Sequence, residues 1–193
     1  MQKNAIVGLT GVMAITLGLS ACESHYIYNG SPNDGPAQPS KQKIVLTFPA
    51  KMPAWTQVDQ HVTSAGTKQN FVPPGENSAN WRQELEMITI SNTQVPGITA
   101  QKAYDKQIAN AKAGCKHVDN QILNANPKSI TYIENVQGCP SGGDQHLVGK
   151  IFNGTDGVYA VRYAAVPGLV SAQDITTFTS IVRSANLINK TSQ

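Results

Sequence analysis

Charged residues are scarce in this sequence: 15 Lys and Arg and 12 Asp and Glu among 193 residues leave a formal net charge of +3. The Lys and Arg residues do not cluster, whereas binding to nucleic acid or to an anionic surface depends on such clusters. The sequence therefore gives no support to nucleic-acid binding. Asn, Gln, Ser and Thr carry most of the polarity, which is typical of a soluble domain with a near-neutral surface.

The common catalytic signatures are also missing. The sequence contains no Gly-x-Ser-x-Gly elbow, no His-Glu-x-x-His, no P-loop and no dinucleotide-binding glycine fingerprint. Asp144 and His146, near Ser141, could be assembled into a hydrolase site, but we expect Asp144 to serve a turn and His146 to begin a strand. Glu84 and Glu86 share one face of a strand, and we expect both to point to solvent. We therefore predict no enzymatic activity, no catalytic residue, no metal and no cofactor.

No apolar run reaches the roughly 20 residues that a membrane-spanning helix needs. The most apolar stretch, residues 5–18, follows Lys3 and has the length of a signal-peptide core. It leads into Leu19-Ser20-Ala21-Cys22, which resembles the lipobox of bacterial lipoproteins. The resemblance implies that residues 1–21 are a signal peptide removed before Cys22. The remaining chain then has a net charge of +2, from 14 Lys and Arg minus 12 Asp and Glu.

The lipobox resemblance also implies how the protein is held and where. Cys22 would carry a diacylglyceryl thioether and a further acyl chain, such as palmitate, on its amine. Several acyl chains anchor a protein stably, whereas a single chain binds a membrane only marginally. The next residue is Glu23 rather than Asp, which in enteric-type sorting implies the outer membrane. The sequence does not indicate whether the domain faces the periplasm or the cell surface.

The two other cysteines, Cys115 and Cys139, are expected to form a disulfide, because the envelope outside the inner membrane is oxidising. Closing a loop of about 25 residues stabilises a fold by roughly 3 kcal/mol in the chain-entropy model. A metal site that adds His117 is an alternative, although the spacing lacks a second paired element. Free, buried thiols are the other alternative.

The composition divides the chain after the leader into two parts. Residues 22–42 are rich in Gly, Pro, Ser, Asn and Asp and read as a lipidated N-terminus with a flexible linker. At roughly 3.1 Å per residue this linker would reach about 60 Å. His25 to Tyr28 interrupt its polarity, as a contact either for lipid headgroups or for a partner protein. Residues 43–193 are predicted to form a single globular domain.

Hydrophobic periodicity predicts the elements of that domain. One helix is expected over residues 99–113, with Thr99 as its cap and Gly114 at its end. A second is expected over residues 171–187, with Ser171 and Asp174 at capping-box spacing. Strands are expected over residues 44–48, 55–63, 67–72, 82–91, 118–125, 130–136, 146–152 and 158–165. This order predicts an α+β fold, in which a mostly antiparallel sheet packs with two main helices.

Two further resemblances bear on this domain. The segment Pro74-Gly75-Glu76, followed by Asn80-Trp81 and Met87-Ile88-Thr89-Ile90, resembles a stretch in small secreted or lipid-anchored bacterial proteins of unassigned function. Those proteins also have a helix with a nearby cysteine and a late hairpin, matched here by Val158 to Val161. The element order is similar to the sandwich of extrinsic photosystem II subunits and Mog1-type Ran-binding proteins. Neither resemblance implies a catalytic residue, and a shared fold does not define a function.

These observations lead to three hypotheses of function. The first is a non-enzymatic outer-membrane lipoprotein that binds other envelope proteins, for example as an accessory subunit of a secretion or envelope-spanning complex. The second is a small-ligand or lipid-binding lipoprotein with an apolar pocket lined by residues such as Phe71, Trp81 and Tyr163. The third is a hydrolase, in which His117, Asp144 or His146 would meet in a cleft. For Trp55, as for Trp81, core packing is the expected role.

Overall fold

The computed structural model describes residues 40–140 and 142–190. Cys22, the leader and most of the predicted linker lie outside the described residues. Within the described ranges the chain forms two helices and nine strands, in the order β1 Gln42–Val45, β2 Thr56–Thr63, β3 Gly66–Val72, β4 Gln83–Ser91, α1 Ala100–Gly114, β5 His117–Asn126, β6 Ser129–Gln137, β7 Gln145–Asn153, β8 Gly157–Ala165, α2 Ala172–Ser184 and β9 Asn186–Asn189. The predicted α+β class is confirmed.

Seven strands form one sheet in the order β2-β3-β4-β8-β7-β6-β5, and every neighbouring pair is antiparallel. β4 and β8 lie next to each other in the middle of the sheet. Both faces of β4 are covered, whereas the sequence had suggested cover on one face. β1 and β9 pair antiparallel as a separate two-stranded ribbon, from Gln42 opposite Asn189 to Val45 opposite Asn186.

The sheet has helical cover on both faces. α1 packs over β5 to β8 on the first face, which carries the even-numbered residues of β4, β6 and β8. α2 and the ribbon pack on the second face, which carries the odd-numbered residues of β4 and β8. Two apolar layers result, and the larger one lies under α2. Its fully buried members include Val148, Val161, Tyr163 and Val182.

Helix α1 begins and ends close to the expected residues. The hydroxyl of Thr99 accepts a hydrogen bond from the amide of Lys102 at 3.2 Å, which satisfies one of the amides left without a partner at a helix start. At the other end the amide of Cys115 donates to the carbonyl of Ala111 at 2.8 Å. The cysteine therefore lies just past the helix, as predicted.

Helix α2 is shorter than the sequence indicated. Its capping box is present: the Ser171 hydroxyl accepts from the amide of Asp174 at 3.1 Å and donates to its carboxylate at 2.7 Å. The helix ends at Ser184 rather than at residue 187, because the Lys150 ammonium binds the carbonyls of Arg183 and Ala185 at 2.8 and 2.7 Å. The chain then leaves the helix and pairs with β1 as β9.

Strand β1 also differs from its predicted range. It spans Gln42–Val45 rather than residues 44–48, so it begins inside the stretch expected to be linker. Gln42 is nine-tenths buried, and its amide group binds Asn189 on β9 and Thr155 in the turn between β7 and β8. Polar contacts that join distant parts of the chain therefore order a residue whose local sequence predicts a linker.

Candidate functional site

The predicted disulfide between Cys115 and Cys139 is confirmed. Cys115 lies between α1 and β5, and Cys139 follows β6, so the bridge closes the open end of the β5–β6 hairpin next to the pair His117–Gln137. Both thiols are used in this bond, which removes the alternatives of a metal site at these cysteines and of free thiols. In the part of the chain that the structure describes, no group of three or more His, Cys, Asp or Glu side chains could hold a metal ion.

Asp144 and His146, two of the residues named for a hydrolase site, form hydrogen bonds with other residues rather than with each other. The carboxylate of Asp144 accepts a hydrogen bond from the amide of Gly138 at 2.8 Å, in a turn. Nδ1 of His146 lies 2.7 Å from the side-chain oxygen Oδ1 of Asn135 on β6, and partial burial lowers the pKa of this histidine. His117 is exposed at the start of β5. Ser141 is not among the described residues.

The aromatic residues considered for an apolar pocket fall on opposite faces of the sheet. Tyr163 stacks on Phe178 with 4.5 Å between ring centroids, and Trp55 lies 4.6 Å from the same ring. Phe71 joins this layer under α2. Trp81 instead packs on the α1 face, against Leu147, Ala164 and the disulfide. Phe71, Trp81 and Tyr163 therefore do not line one pocket, and both tryptophans contribute to packing.

Glu84 and Glu86 do share a face of β4, but the expectation that they point to solvent is wrong. Both are buried, at 7% and 3% exposure. Lys68 on β3 and Arg162 on β8 flank Glu86: the ammonium lies 2.9 Å from one carboxylate oxygen, and the guanidinium binds the other through Nε and Nη2. These residues meet because Glu86 is directly opposite Arg162 in the sheet register.

Glu84 has a weaker set of partners than Glu86. The amide group of Asn70 donates a hydrogen bond to its carboxylate. Burial, followed by repulsion from Glu86, raises the pKa of Glu84 from 4.5 to about 7, and the hydrogen bond and the nearby cations only partly offset this rise. The carbonyl oxygen of Asn70 is buried and has no hydrogen-bond partner. The site therefore holds one carboxylate that changes charge near neutral pH.

A second polar group lies further along the same face, under α1. Gln107 of α1 donates to the Glu134 carboxylate at 2.7 Å and accepts from the Tyr132 hydroxyl at 2.9 Å. The ring of Tyr132 crosses β7 at Gly149, where an added Cβ would lie 2.3 Å from the ring. Sequence reasoning missed both polar groups, since alternating polar residues in a strand ordinarily indicate a solvated face. Helix α1, which covers the Glu134 and Tyr132 group, comes from another part of the chain.

A polar groove lies on the second face of the sheet, between the β2–β3–β4 side and the ribbon. Its volume is about 630 Å³, within the range of small-molecule sites. Hydroxyl and amide side chains form most of its walls: Gln60, Thr67, Gln69, Thr89, Ser91, Asn92, Thr93 and Thr155. A smaller hollow of about 140 Å³ continues it toward β8, sharing Thr67, Gln69 and Thr89 and adding Ile44, Met87 and Tyr159.

Asp156 organises one end of this groove. Its two carboxylate oxygens accept hydrogen bonds from the Tyr159 hydroxyl at 2.7 Å and from the Lys41 amide at 2.6 Å. Partial burial acts to raise the pKa of Asp156, but these hydrogen bonds and the charge of Lys41 outweigh it, so its pKa lies below the ordinary value. The carbonyl of Asp156 accepts from the amide of Asn92 at 3.0 Å. Asp156 thus ties the start of β1, the β7–β8 turn and the segment after β4 together through its carboxylate and its backbone carbonyl.

Three lysines lie around the groove and the adjoining hollow. Lys41 and Lys190 line the groove, and Lys43 and Lys190 line the hollow. The ammonium of Lys190 donates to the Ser40 hydroxyl at 2.8 Å. Among the described residues none of the three lysines forms an ion pair with a carboxylate. The groove therefore has an excess of positive charge, with Asp156 as its one acidic lining residue.

The outer edge of the sheet offers a second candidate surface. β5 is its last strand, and no described strand pairs with its outer side. Its first six residues pair in regular register with β6, from His117 to Ile122, before an irregularity between Ile122 and Asn124. Most of its side chains are exposed, and Ile122 is 42% exposed.

No protein-family model matches this chain, and no curated protein matches its sequence. The resemblances to lipoproteins and to the sandwich fold therefore stay predictions. No helix among the described residues is long and apolar enough to cross a membrane.

Proposed function

We propose that this chain is a lipid-anchored envelope protein of the bacterial outer membrane that acts by binding a partner protein rather than by catalysis. The signal-like leader and the lipobox at Cys22 support the anchor. The observation that carries the binding function is the open edge strand β5. In this proposal the protein is an accessory subunit of an envelope-spanning or secretion complex.

The structure of β5 suits strand addition by a partner. An edge strand presents backbone amides and carbonyls outward, and an extended segment of another protein can pair with them. Proteins ordinarily protect such edges with Lys, Pro or bulges. β5 contains neither Lys nor Pro, and its irregularity between Ile122 and Asn124 leaves residues 117–122 in regular register. The disulfide holds its start against β6, so little conformational entropy is lost when a partner strand pairs there. Ile122 supplies an exposed apolar contact beside the edge.

Site-specific crosslinking in intact cells tests this proposal. A photo-crosslinking amino acid at Gln121, exposed on β5, should capture one defined protein, whereas the same group at Thr176, exposed on α2, should not. Ile122→Asp should abolish the crosslinked product. Ile188→Asp is the matched control, because Ile188 is also 42% exposed but lies on the ribbon. Equal capture from Gln121 and Thr176, or no capture from Gln121, would refute binding at β5.

The anchor has its own test. Cys22→Ala should remove labelled fatty acid from the protein and leave the uncleaved precursor, since the thiol is the proposed site of lipid attachment. A variant that still carried the label would contradict the lipobox interpretation. This result is independent of whether β5 binds a partner.

The polar groove favours a second candidate function, the binding of a small ligand. A groove of about 630 Å³ has room for a ligand of a few hundred daltons. Its walls carry hydroxyl, amide and ammonium groups, so the ligand in this candidate is polar, unlike the lipid considered from the sequence. Spectroscopic titration of the purified protein with polar ligands, with a readout from groove residues, tests this function. An absence of shifts in groove residues would count against it.

A further inference from the structure

The chemistry of the groove walls limits the kind of ligand that fits. Of its fourteen lining residues, only Val62 and Gly66 lack a polar side chain. Peptide-binding sites depend on apolar or aromatic anchor pockets, and the main groove supplies none among these residues. Hydroxyl and amide groups instead pair with a ligand that presents many hydrogen-bond donors and acceptors around its rim. A polyhydroxylated ligand matches this surface.

One residue of the groove wall has a hydrogen-bond acceptor that receives no donor. The carbonyl oxygen of the Asn92 side chain is buried and has no hydrogen-bond partner, while Asn92 lines the groove. A buried acceptor without a partner is unfavourable, and most such atoms in proteins are paired. The oxygen is shielded from solvent, so the Asn92 side chain must rotate before a ligand hydroxyl or N–H group can reach this oxygen and remove the penalty. Asn92 is therefore the groove residue at which a hydrogen-bond donor on the ligand adds most to the free energy of binding.

The charge of the groove adds a second requirement. Lys41 and Lys190 line the groove and Lys43 lines the adjoining hollow, and none of them has a carboxylate partner among the described residues. Both carboxylate oxygens of Asp156 are already hydrogen-bonded within the protein. A ligand carboxylate would bind the ammonium groups through charge-assisted hydrogen bonds, which are stronger than neutral ones. The ligand is accordingly an acid.

The adjoining hollow supplies the apolar surface that the main groove lacks. Ile44 and Met87, which are both only partly buried, line it with apolar side chains. Sugar rings have C–H faces, and N-acetyl groups carry a methyl, and either can lie on such a surface while hydroxyls bind the polar walls.

From these features we propose that the groove binds an acidic glycan, made of N-acetylated sugars that carry carboxylates. The proposal rests on the second candidate function, ligand binding in the groove, and names its ligand class. Three contacts define the complex: a sugar donor on the Asn92 side-chain carbonyl, a sugar carboxylate between the lysines, and an apolar sugar face on Ile44 and Met87. In the proposed envelope location, cell-wall glycan and lipopolysaccharide are two sources of carboxylated sugars.

The test compares two sugars that differ in the proposed determinant. N-acetylmuramic acid and N-acetylglucosamine share the acetylated ring, but only the first carries a carboxylate. Each is titrated into the full chain in detergent, with amide chemical shifts as the readout. N-acetylmuramic acid should shift Asn92 and Thr93 and bind more tightly. Equal affinity for the two sugars, or shifts only outside the groove, would overturn the proposal.

Matched variants locate the contacts. Lys190→Gln should weaken binding of N-acetylmuramic acid by about tenfold, the expected effect of one lost charge-assisted hydrogen bond. Lys112→Gln should leave it unchanged, because Lys112 is exposed on α1, on the opposite face of the sheet. Asn92→Leu should weaken the binding of both sugars, since it removes the hydrogen-bond acceptor from both complexes. Unchanged affinity in Lys190→Gln and Asn92→Leu, with intact folded spectra, would overturn the proposal.

Two further experiments identify the source of the ligand and distinguish a wrong glycan assignment from a failure of ligand binding as such. Co-sedimentation of the full chain with purified cell-wall sacculi and with lipopolysaccharide micelles shows which carboxylated glycan is bound, and Lys190→Gln should reduce it. If an acidic peptide or a neutral sugar shifts the groove amides while acidic glycans do not, the groove is a ligand site and the glycan assignment is wrong. If none of these ligands shifts the groove, ligand binding fails as well. Crosslinking at β5 is unaffected by either result.

Discussion

The buried carboxylate of Glu84 provides a quantitative test of the structure. Its pKa is raised from 4.5 to about 7 in the folded protein. A difference of about 2.5 pKa units corresponds to about 3 kcal/mol between the two protonation states. Because the pKa is higher in the folded than in the unfolded state, the folded protein binds this proton more tightly. The Glu84 contribution to stability is thus fully present below pH 4.5 and is lost as the pH rises to about 7.

Glu84→Gln removes this dependence, because Gln remains neutral at every pH. It also supplies a donor near the Asn70 carbonyl oxygen, which has no partner in the native protein. The variant should have nearly the native free energy of unfolding at pH 4 and should be more stable by about 3 kcal/mol at pH 8. Urea unfolding followed by the fluorescence of Trp55 and Trp81, with the disulfide intact, measures the difference at each pH.

Glu86→Gln is the matched control, since it makes the same change two residues along the same face. Here the native carboxylate is paired with Lys68 and Arg162. Removing one partner of a buried ionic group leaves charges uncompensated, so this variant should be destabilised by about 3–5 kcal/mol at pH 8. A stability gain in Glu84→Gln that did not change between pH 4 and pH 8 would refute the argument from burial. A loss of stability in Glu84→Gln at pH 8 would also refute this argument.

Three other substitutions test the packing. Replacing Cys115 and Cys139 together by Ser should lower the free energy of unfolding by about 3.5 kcal/mol, the chain-entropy value for a separation of 24 residues, as measured by urea denaturation. Ser171→Ala should cost about 1 kcal/mol through loss of the α2 cap, whereas Ser171→Asp should retain most of the stability in the same assay. Gly149→Ala should lower the melting temperature, because its methyl would overlap the Tyr132 ring; native stability in that variant would show that the ring can move aside.

Local features were predictable where neighbouring residues decide the conformation. The start of α1 at Thr99 and the capping box of α2 depend on residues three positions apart. The hairpin between β7 and β8 follows from turn residues between two apolar strands. The disulfide was predictable from the number of cysteines and the expected compartment, without any knowledge of the fold.

Features that join distant segments were not predictable in the same way. β9 exists because residues 186–189 find β1, more than 140 residues earlier in the chain. Local periodicity instead placed residues 186 and 187 at the end of the helix predicted over residues 171–187. The groove was missed for a similar reason: its walls come from β2, β3, β4, the ribbon and the β7–β8 turn.

By itself, the sequence determined the order of both helices and of eight of the nine strands, the caps of both helices and the expectation of a lipid anchor at Cys22. These depend on short-range patterns and on chemistry that a few adjacent residues carry. Only the tertiary structure decided that Glu84 and Glu86 are buried and that polar side chains form a groove beside the ribbon. Strand parity places two residues on the same face, but whether water or protein covers that face depends on segments brought there by folding.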